Sequence, residues 1–378
     1  MNVLFITTCT TLLGANRAML TQIQHLKSKG VVPIVLLPFD GEITLKLKEQ
    51  NVEYCVHKFK TFKSPHSGVP SYIRFMAVLL YNFLYALPLL YVVFRKRNIS
   101  IIHTNTSVCD IGAFLASMLH CRHIWHLREF GCEDYGLTCP IKKYEYYVYN
   151  RGFSEFIAIS GAIYTYYSVF IKRPIYLVYD GVTIPDSKFL ANHENSEIHF
   201  CCAGVLTVQK NQLQIVEAAN ILLNKYLVNN FTVTIIGADN NAYSEYLKCK
   251  IREYGLNDHF QFTGFIMDMD SIYKTMDIGI MPSLSEAFGL VTIEYMLHNL
   301  LVIASNRGAN LELIEHSKTG LLYDIDCTDS LAELMLWCVQ NKQAVLQIAE
   351  QGRVMATNCY TSKANADKVF EIYAENKI

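Results

Sequence analysis

The stretch Ser283-Leu284-Ser285-Glu286-Ala287-Phe288-Gly289-Leu290-Val291-Thr292-Ile293-Glu294 decides the reading of this chain. It follows a short apolar run, residues 278–281, of the kind that forms a buried strand. It leads into an apolar-periodic segment, residues 290–297, that reads as a helix. Two carboxylates, Glu286 and Glu294, therefore bracket a strand-to-helix turn. Such a turn offers unpaired backbone N–H groups and the positive end of a helix dipole, a ready site for phosphate. Glu294 lies about two turns into the helix if the helix starts near Ala287, and so faces a ligand lying along the helix start. Carboxylates beside an anion site suit a ligand with both phosphates and sugar hydroxyls: the N–H groups take the phosphates and Glu accepts from the hydroxyls. The opposing reading is a surface helix whose two glutamates are solvated.

Outward from this stretch, strand and helix signals alternate along the whole chain. Strands are predicted at residues 3–7, 31–37, 52–57, 99–104, 123–127, 156–159 and 175–178, and again at 199–203, 231–236, 259–262, 278–281 and 301–304. Helical stretches lie between most of them, the first over residues 15–28 with its stop at Gly30. Continuous apolar strands separated by helices imply parallel sheets covered on both faces. The fold class is α/β, with two Rossmann-like, doubly wound domains whose ligand crevice lies beyond the carboxyl ends of the strands. Asp180-Gly181-Val182, then Pro185 and a polar run at residues 191–197, reads as the linker, giving domains of residues 1–180 and 181–359.

Composition narrows the partners. The 378 residues are 51% hydrophobic with a formal net charge of -1, which argues against a nucleic-acid binder. The average conceals an asymmetry: residues 1–180 hold 19 Lys and Arg against 11 Asp and Glu, and the remainder 14 against 23. A basic first half suits an anionic surface or acceptor. Twelve cysteines are scattered without a paired framework, as in a reduced cytosolic protein, and the start of the chain carries no basic leader. Residues 75–94 contain no charge and are flanked by Arg74 and by Arg95-Lys96-Arg97. Three readings stay open for this segment: a membrane span, a buried crossover helix, or a helix packed on the sheet and dipped into a membrane surface. Asn82 and Pro88 weaken the span; Tyr81, Tyr85 and Tyr91, with Lys58, Lys60 and Lys63, suit an interface.

Three further loops carry chemistry. Ala203-Gly204-Val205-Leu206 closes the first strand of the second half, and Lys210 follows near the next helix start, placed to meet a diphosphate leaving group. Thr7 to Arg17, with Gly14 near its end, joins the first strand to the first helix as a small-residue loop. Trp125-His126-Leu127-Arg128-Glu129-Phe130 ends a strand where a ligand would lie. Arg128 and Glu129 either pair with each other or Arg128 faces an acceptor phosphate. No metal site is expected: Asp268 and Asp270 read as helix capping, and His199, His259 and His298 lack ligand spacing.

The Glu pair at this spacing, with Phe288-Gly289 between and Pro282-Ser283 before, resembles the donor-site signature of the family 4 glycosyltransferases. These are retaining enzymes of the GT-B fold, with two Rossmann-like domains facing a central cleft. The resemblance implies that residues 360–378 form a helix crossing back to the first domain. It assigns the donor sugar's hydroxyls to Glu286, the ribose to Glu294, and the diphosphate to Lys210 and N–H groups near Gly289 and Leu290. It places Gly14, Gly204, Gly264, Phe265 and Phe288 at the donor, His126 against the transferred sugar, and Arg128 and Glu129 on the acceptor side. Val205 stands where the family often has Arg, Leu13 where it has Gly, and Asp180 where it has Asn. The implied activity is transfer of a sugar from a nucleoside diphosphate, UDP favoured over GDP, to a hydroxyl of a glycan or lipid-linked acceptor. It needs no cofactor and no metal. The expected location is cytoplasmic, with peripheral attachment to an anionic membrane through the first domain. A sugar-nucleotide epimerase on the same fold, and a non-catalytic nucleotide-sugar-binding partner of a polysaccharide assembly, stay open.

Overall fold

The computed structural model describes residues 1–65, 68–152, 154–185 and 197–375. The chain forms two units, Met1–Gly181 with Ser362–Ile378, and Val182–Thr361. Each is built around one wholly parallel sheet. In the first unit β1 (Asn2–Ile6), β2 (Val32–Leu37), β3 (Glu53–Val56), β4 (Ile99–Thr104), β5 (Arg122–Leu127), β6 (Glu155–Ala158) and β7 (Ile175–Leu177) lie in the order β3-β2-β1-β4-β5-β6-β7. In the second, β8 (Ile198–Ala203), β9 (Phe231–Ile236), β10 (Phe260–Gly264), β11 (Ile278–Met281), β12 (Leu301–Ser305) and β13 (Leu321–Tyr323) lie in the order β10-β9-β8-β11-β12-β13.

Central strands with helices on both faces must be apolar on both, and Val3, Leu4, Phe5 and Ile6 of β1 are all fully buried. The strand order reverses between β1 and β4, and again between β8 and β11, so each unit has a switch point where loops diverge. At the second, Gly204 leaves β8 and Pro282 leaves β11. The short β13 was not predicted: three residues between Gly320 and Asp324 are too few to show a period. Most of the polar run expected in the linker, residues 191–196, lies outside the described residues.

The helix Ser362–Ala374 belongs to the first unit. Ala366, Val369, Ile372 and Tyr373 join Val3, Phe5 and Met19 in its core. Asn365 accepts from Gln22 at 2.7 Å, and the Arg122 guanidinium, paired with Glu155, donates to the carbonyls of Ile372 and Tyr373. Those carbonyls, at a helix end, have no partner within the helix.

The charge-free segment is part of one continuous helix, Gly68–Phe94. Ser71, Phe75, Val78, Asn82, Ala86, Leu87, Leu90 and Phe94 form its buried stripe. From Val78 to Phe94 the stripe advances in steps of four residues, which would drift off one face of a regular helix. The wider π-helical turn Asn82–Ala86 absorbs that drift and keeps the stripe in line. Asn82 pins the helix by exchanging two hydrogen bonds with the Lys60 backbone, at 3.2 and 2.9 Å. Val69, Ile73, Met76, Leu80, Leu84 and Val92 stay exposed, so this is no plain core helix. Lys63 corrects one expectation. It is buried, paired with Glu145 at 2.6 Å and set against Phe62, Tyr149 and Tyr167, so it is not available to a membrane surface.

In the second sheet, Gly279 on β11 makes room for Tyr295. A Cβ there would stand 2.1 Å from the Tyr295 ring, whose hydroxyl accepts the Ala203 N–H at 2.7 Å. Gly279→Ala should therefore destabilise the second unit by about 1–3 kcal/mol through overpacking. Trp125 lies in the first unit and Trp337 in the second, so urea unfolding followed by Trp337 fluorescence in a Trp125→Phe background reads this unit alone. An unchanged midpoint would show that Tyr295 relaxes freely.

Candidate active site

Helix Leu290–Leu297 starts three residues later than Ala287, so Glu294 sits just over one turn from its start rather than about two. Gly289 precedes it in the left-handed region, φ 92°, where a β-carbon is strained; one there would also lie 3.3 Å from Cγ of Glu286. The first N–H groups of the helix have no intrahelical acceptor. Gly308 lets the next loop press against Glu286, since a Cβ there would stand 2.2 Å from the Glu286 carbonyl oxygen. That carbonyl accepts from Ala309 N–H at 2.9 Å.

Lys210 and Glu286 meet: Nζ lies 2.7 Å from Oε2, with the Glu286 side chain only 11% exposed. The loops are also joined by backbone, the Leu284 N–H donating to the Gln209 carbonyl at 2.9 Å. Lys210 closes a short turn, Val208–Lys210, capped by Thr207. Beneath the loop, Ser305 donates to the Ser283 carbonyl and Asn310 to the Ser305 carbonyl. Glu294 is buried, and its Oε2 accepts from the Tyr273 hydroxyl at 3.2 Å. His298 bonds the Glu294 carbonyl through Nδ1 and Asp270 through Nε2. Asp268 caps its helix, whereas Asp270 holds His298 instead. Both glutamates are thus buried and partnered, not solvated on a surface helix. Among the described residues no group of three His, Cys, Asp or Glu could hold a metal ion.

Beside this cluster the carboxyl ends of β8, β9 and β10 finish in three glycines, Gly204, Gly237 and Gly264, all with positive φ. A Cβ on Gly237 would stand 2.0 Å from the Gly204 carbonyl, while Gly204 and Gly264 open onto free space. Phe265, next along, is exposed; Phe288 is buried edge-on against Tyr360. Val205 is exposed at the position that the resemblance gives to Arg. A groove of about 510 Å³ lined by His199, Asp258, His259 and Asp277 lies at the opposite, amino ends of these strands and is not this site.

The first unit holds the remaining predicted residues. Gly14 starts the first helix without positive φ; the loop before it is organised instead by Asn16, which donates to the Cys9 and Thr11 carbonyls and accepts from Thr7. His126 is fully buried at the end of β5, its Nδ1 3.0 Å from His103 Nε2. Burial, the Arg128 charge and His103 hold its pKa well below the usual histidine value. Arg128 and Glu129 do not pair with each other. Arg128 donates to Asp180 and to Asn105, both at 2.5 Å. Glu129 Oε1 accepts from Thr106, Ser107 N–H and the Ser107 hydroxyl. Both charges are therefore committed to internal partners. His103, Tyr273, Gly308 and Tyr373 escaped the sequence reading, since none sits in a motif and each acts through a distant partner.

Comparisons with known proteins bear on the fold. Residues 184–355 match the model of the family described as Glycosyl transferases group 1. The chain is 32% identical over 122 residues to the lipopolysaccharide core biosynthesis mannosyltransferase LpcC of Rhizobium leguminosarum bv. viciae, an alignment covering 32% of this chain and 34% of that protein. It is 26% identical over 189 residues to an Escherichia coli UDP-Gal:alpha-D-GlcNAc-diphosphoundecaprenol alpha-1,3-galactosyltransferase, covering 50% of this chain and 48% of that one. The chain thus spans from a third to a half of the length of these curated relatives. In fold it matches Anabaena HepE in complex with UDP and glucose, with TM-score 0.81 and 19% identity over 98% of this chain and 99% of that one. It also matches a glycosyltransferase from Rickettsia africae, with TM-score 0.80 and 20% identity over 100% and 99%. The fold is GT-B.

The Arg128–Asp180 pair, with side chains 1% and 4% exposed, generates a stability prediction. Burial pushes the Asp180 carboxyl up from its usual range and Arg128 opposes that shift. Asp180→Leu, which leaves Arg128 buried without its counter-charge, should cost the first unit about 3–5 kcal/mol. The double change Arg128→Met with Asp180→Leu should recover most of it. Urea unfolding read by Trp125 in a Trp337→Phe background measures both; a single variant as stable as the parent would mean that water already reaches the pair.

Proposed function

We propose that the chain is a retaining glycosyltransferase that moves a sugar from a nucleoside diphosphate to a hydroxyl of a glycan or lipid-linked acceptor. One observation carries the reading: Lys210 and Glu286 converge at 2.7 Å beside the start of helix Leu290–Leu297, at the carboxyl ends of β8 and β11. Lys210 and the helix N–H groups neutralise the diphosphate as charge develops on it, Glu286 accepts from the donor sugar's hydroxyls, and Glu294 accepts from the ribose. Tyr273 donates to Oε2 of Glu294 and holds the carboxylate in place. In the free protein Glu286 holds the Lys210 ammonium in place for the phosphates. His126 meets the transferred sugar. Catalysis is positioning plus stabilisation of the leaving group, with no cofactor and no metal ion. UDP is favoured over GDP as the carrier.

Work at a lipid-linked acceptor fits the exposed face of helix Gly68–Phe94, whose most apolar 18-residue window has mean hydropathy 2.0 and is 33% buried. With exposed Arg95 and Lys96 at its end, this face suits peripheral attachment to an anionic membrane on the cytoplasmic side.

Two experiments test this reading. Against a panel of nucleoside diphosphate sugars, Glu294→Ala and Lys210→Ala should each lose at least tenfold in turnover or donor affinity, about 1.4 kcal/mol. Parent turnover should persist in excess chelator. Parent-like kinetics in both variants would sink the donor-site assignment. In co-sedimentation, the protein should bind anionic vesicles much better than neutral ones, with salt weakening but not abolishing the binding. Arg95→Glu with Lys96→Glu should release it while donor hydrolysis continues; indifference to both vesicle types would end the membrane reading.

A further inference from the structure

The helix Gly68–Phe94 carries two opposite stripes along its whole length. On the inward one, Phe75 meets Tyr144 edge-on at 5.1 Å, Asn82 is bonded to the Lys60 backbone, and Leu90 and Phe94 are buried. On the outward one, Ile73, Met76, Leu80, Leu84 and Val92 are exposed, Leu84 at 75%. The helix contains no acidic residue.

Neighbours in a helix are turned about 100° from each other, so Tyr81 and Phe83 flank the inward Asn82 on its two sides. Each flank ends on a cation. On one, Lys60 Nζ lies over the Tyr81 ring at 5.1 Å, and Tyr81 packs against Tyr85 at 5.4 Å. On the other, Phe83 meets Phe114 edge-on at 4.6 Å, and the Arg151 guanidinium lies over Phe114 at 4.2 Å and over Tyr147 at 5.4 Å. No carboxylate among the described residues pairs with Lys60 or Arg151. A guanidinium held by aromatic faces keeps its N–H edge for a bidentate phosphate contact.

An apolar ridge between two aromatic and cationic flanks matches acyl chains bordered by headgroup phosphates. A second copy laid on the same face would bring like charges together with no carboxylate on the helix to meet them. A helix set across the bilayer would strip Phe75, Asn82 and Phe94 from the first unit, or carry Lys60 and Arg151 into hydrocarbon. We propose that helix Gly68–Phe94 lies in the plane of an anionic bilayer surface, with Leu80 and Leu84 among the acyl chains and Lys60 and Arg151 on lipid phosphates at its two flanks. This rests on the reading that the first unit attaches to a membrane.

The test reads depth along the helix in the full chain. Ile73→Trp, Leu84→Trp and Val92→Trp each place one probe on the outward stripe, with the emission of Trp125 and Trp337 in the parent as the baseline. Ile73 and Val92 lie about 28 Å apart along the axis, close to the hydrocarbon thickness of about 30 Å. The vesicles are phosphatidylglycerol with phosphatidylcholine brominated either near the headgroup or near the chain ends. All three probes should be quenched by the shallow bromine and spared by the deep one. Arg151→Gln and Lys60→Gln should each weaken binding to these vesicles about fivefold. Deep quenching at Leu84→Trp with shallow quenching at the other two would overturn the in-plane placement in favour of a span. Three unquenched probes on vesicle-bound protein would overturn it too, and a doubled mass in solution would then give the face to a second copy. Parent-like binding in both Gln variants would overturn the flanking phosphate contacts. No binding of the parent to any vesicle instead ends the membrane reading on which the placement rests.

Discussion

A parallel sheet sends the carboxyl end of every strand to one edge, and each half of this protein is built on that constraint. Because no strand returns beside its neighbour by a tight hairpin, every connection is a crossover, and the loops that leave the carboxyl edge are free of the packing that the helices impose. At the reversal between β8 and β11, the loops after the two strands can diverge and still be tied together. Lys210 comes from one and Glu286 from the other, and they meet across that gap. The supporting arrangement follows from the same edge. Tyr295 reaches back over Gly279 to the end of β8, Gly308 lets the loop after β12 close on Glu286, and Tyr273 and His298 hold Glu294 from behind.

Much of this was legible in the sequence where a single segment carried its own signal. Runs rich in β-branched and apolar residues placed β4, β9 and β11 to the residue, and the apolar period placed helix Leu290–Leu297. The Glu286 loop and Lys210 were readable because a phosphate-binding turn must combine a strand end, glycine and charge within a few residues. Partners that meet only in three dimensions were not. Nothing around His103 points to Tyr373, which is 270 positions away. Arg128 and Glu129 stand side by side, and adjacency suggested either a pair or an acceptor surface. In the fold they diverge, because residues at the end of a strand point to opposite faces, and each finds its own buried partner.

The helix Gly68–Phe94 shows the same limit differently. A charge-free run is equally compatible with a membrane, a core or a surface, since hydropathy records transfer from water and not the destination. The stripe from Ser71 to Phe94 becomes readable only once the π turn Asn82–Ala86 is known, because a regular helix would not keep it on one side. Asn82, which counted against a span in the sequence, is the residue that secures the helix to the chain after β3.

The helix Ser362–Ala374 has a consequence for synthesis. The second unit is one uninterrupted segment, whereas the first is closed by residues translated after the second. Until that helix leaves the ribosome, the apolar faces of Val3, Phe5 and Met19 lack the cover of Ala366, Val369, Ile372 and Tyr373. Domains usually complete in order of emergence from the N-terminus. Here that order is inverted: the half made first waits, partly open, for the half made second to fold, and a chain released early would expose its oldest core.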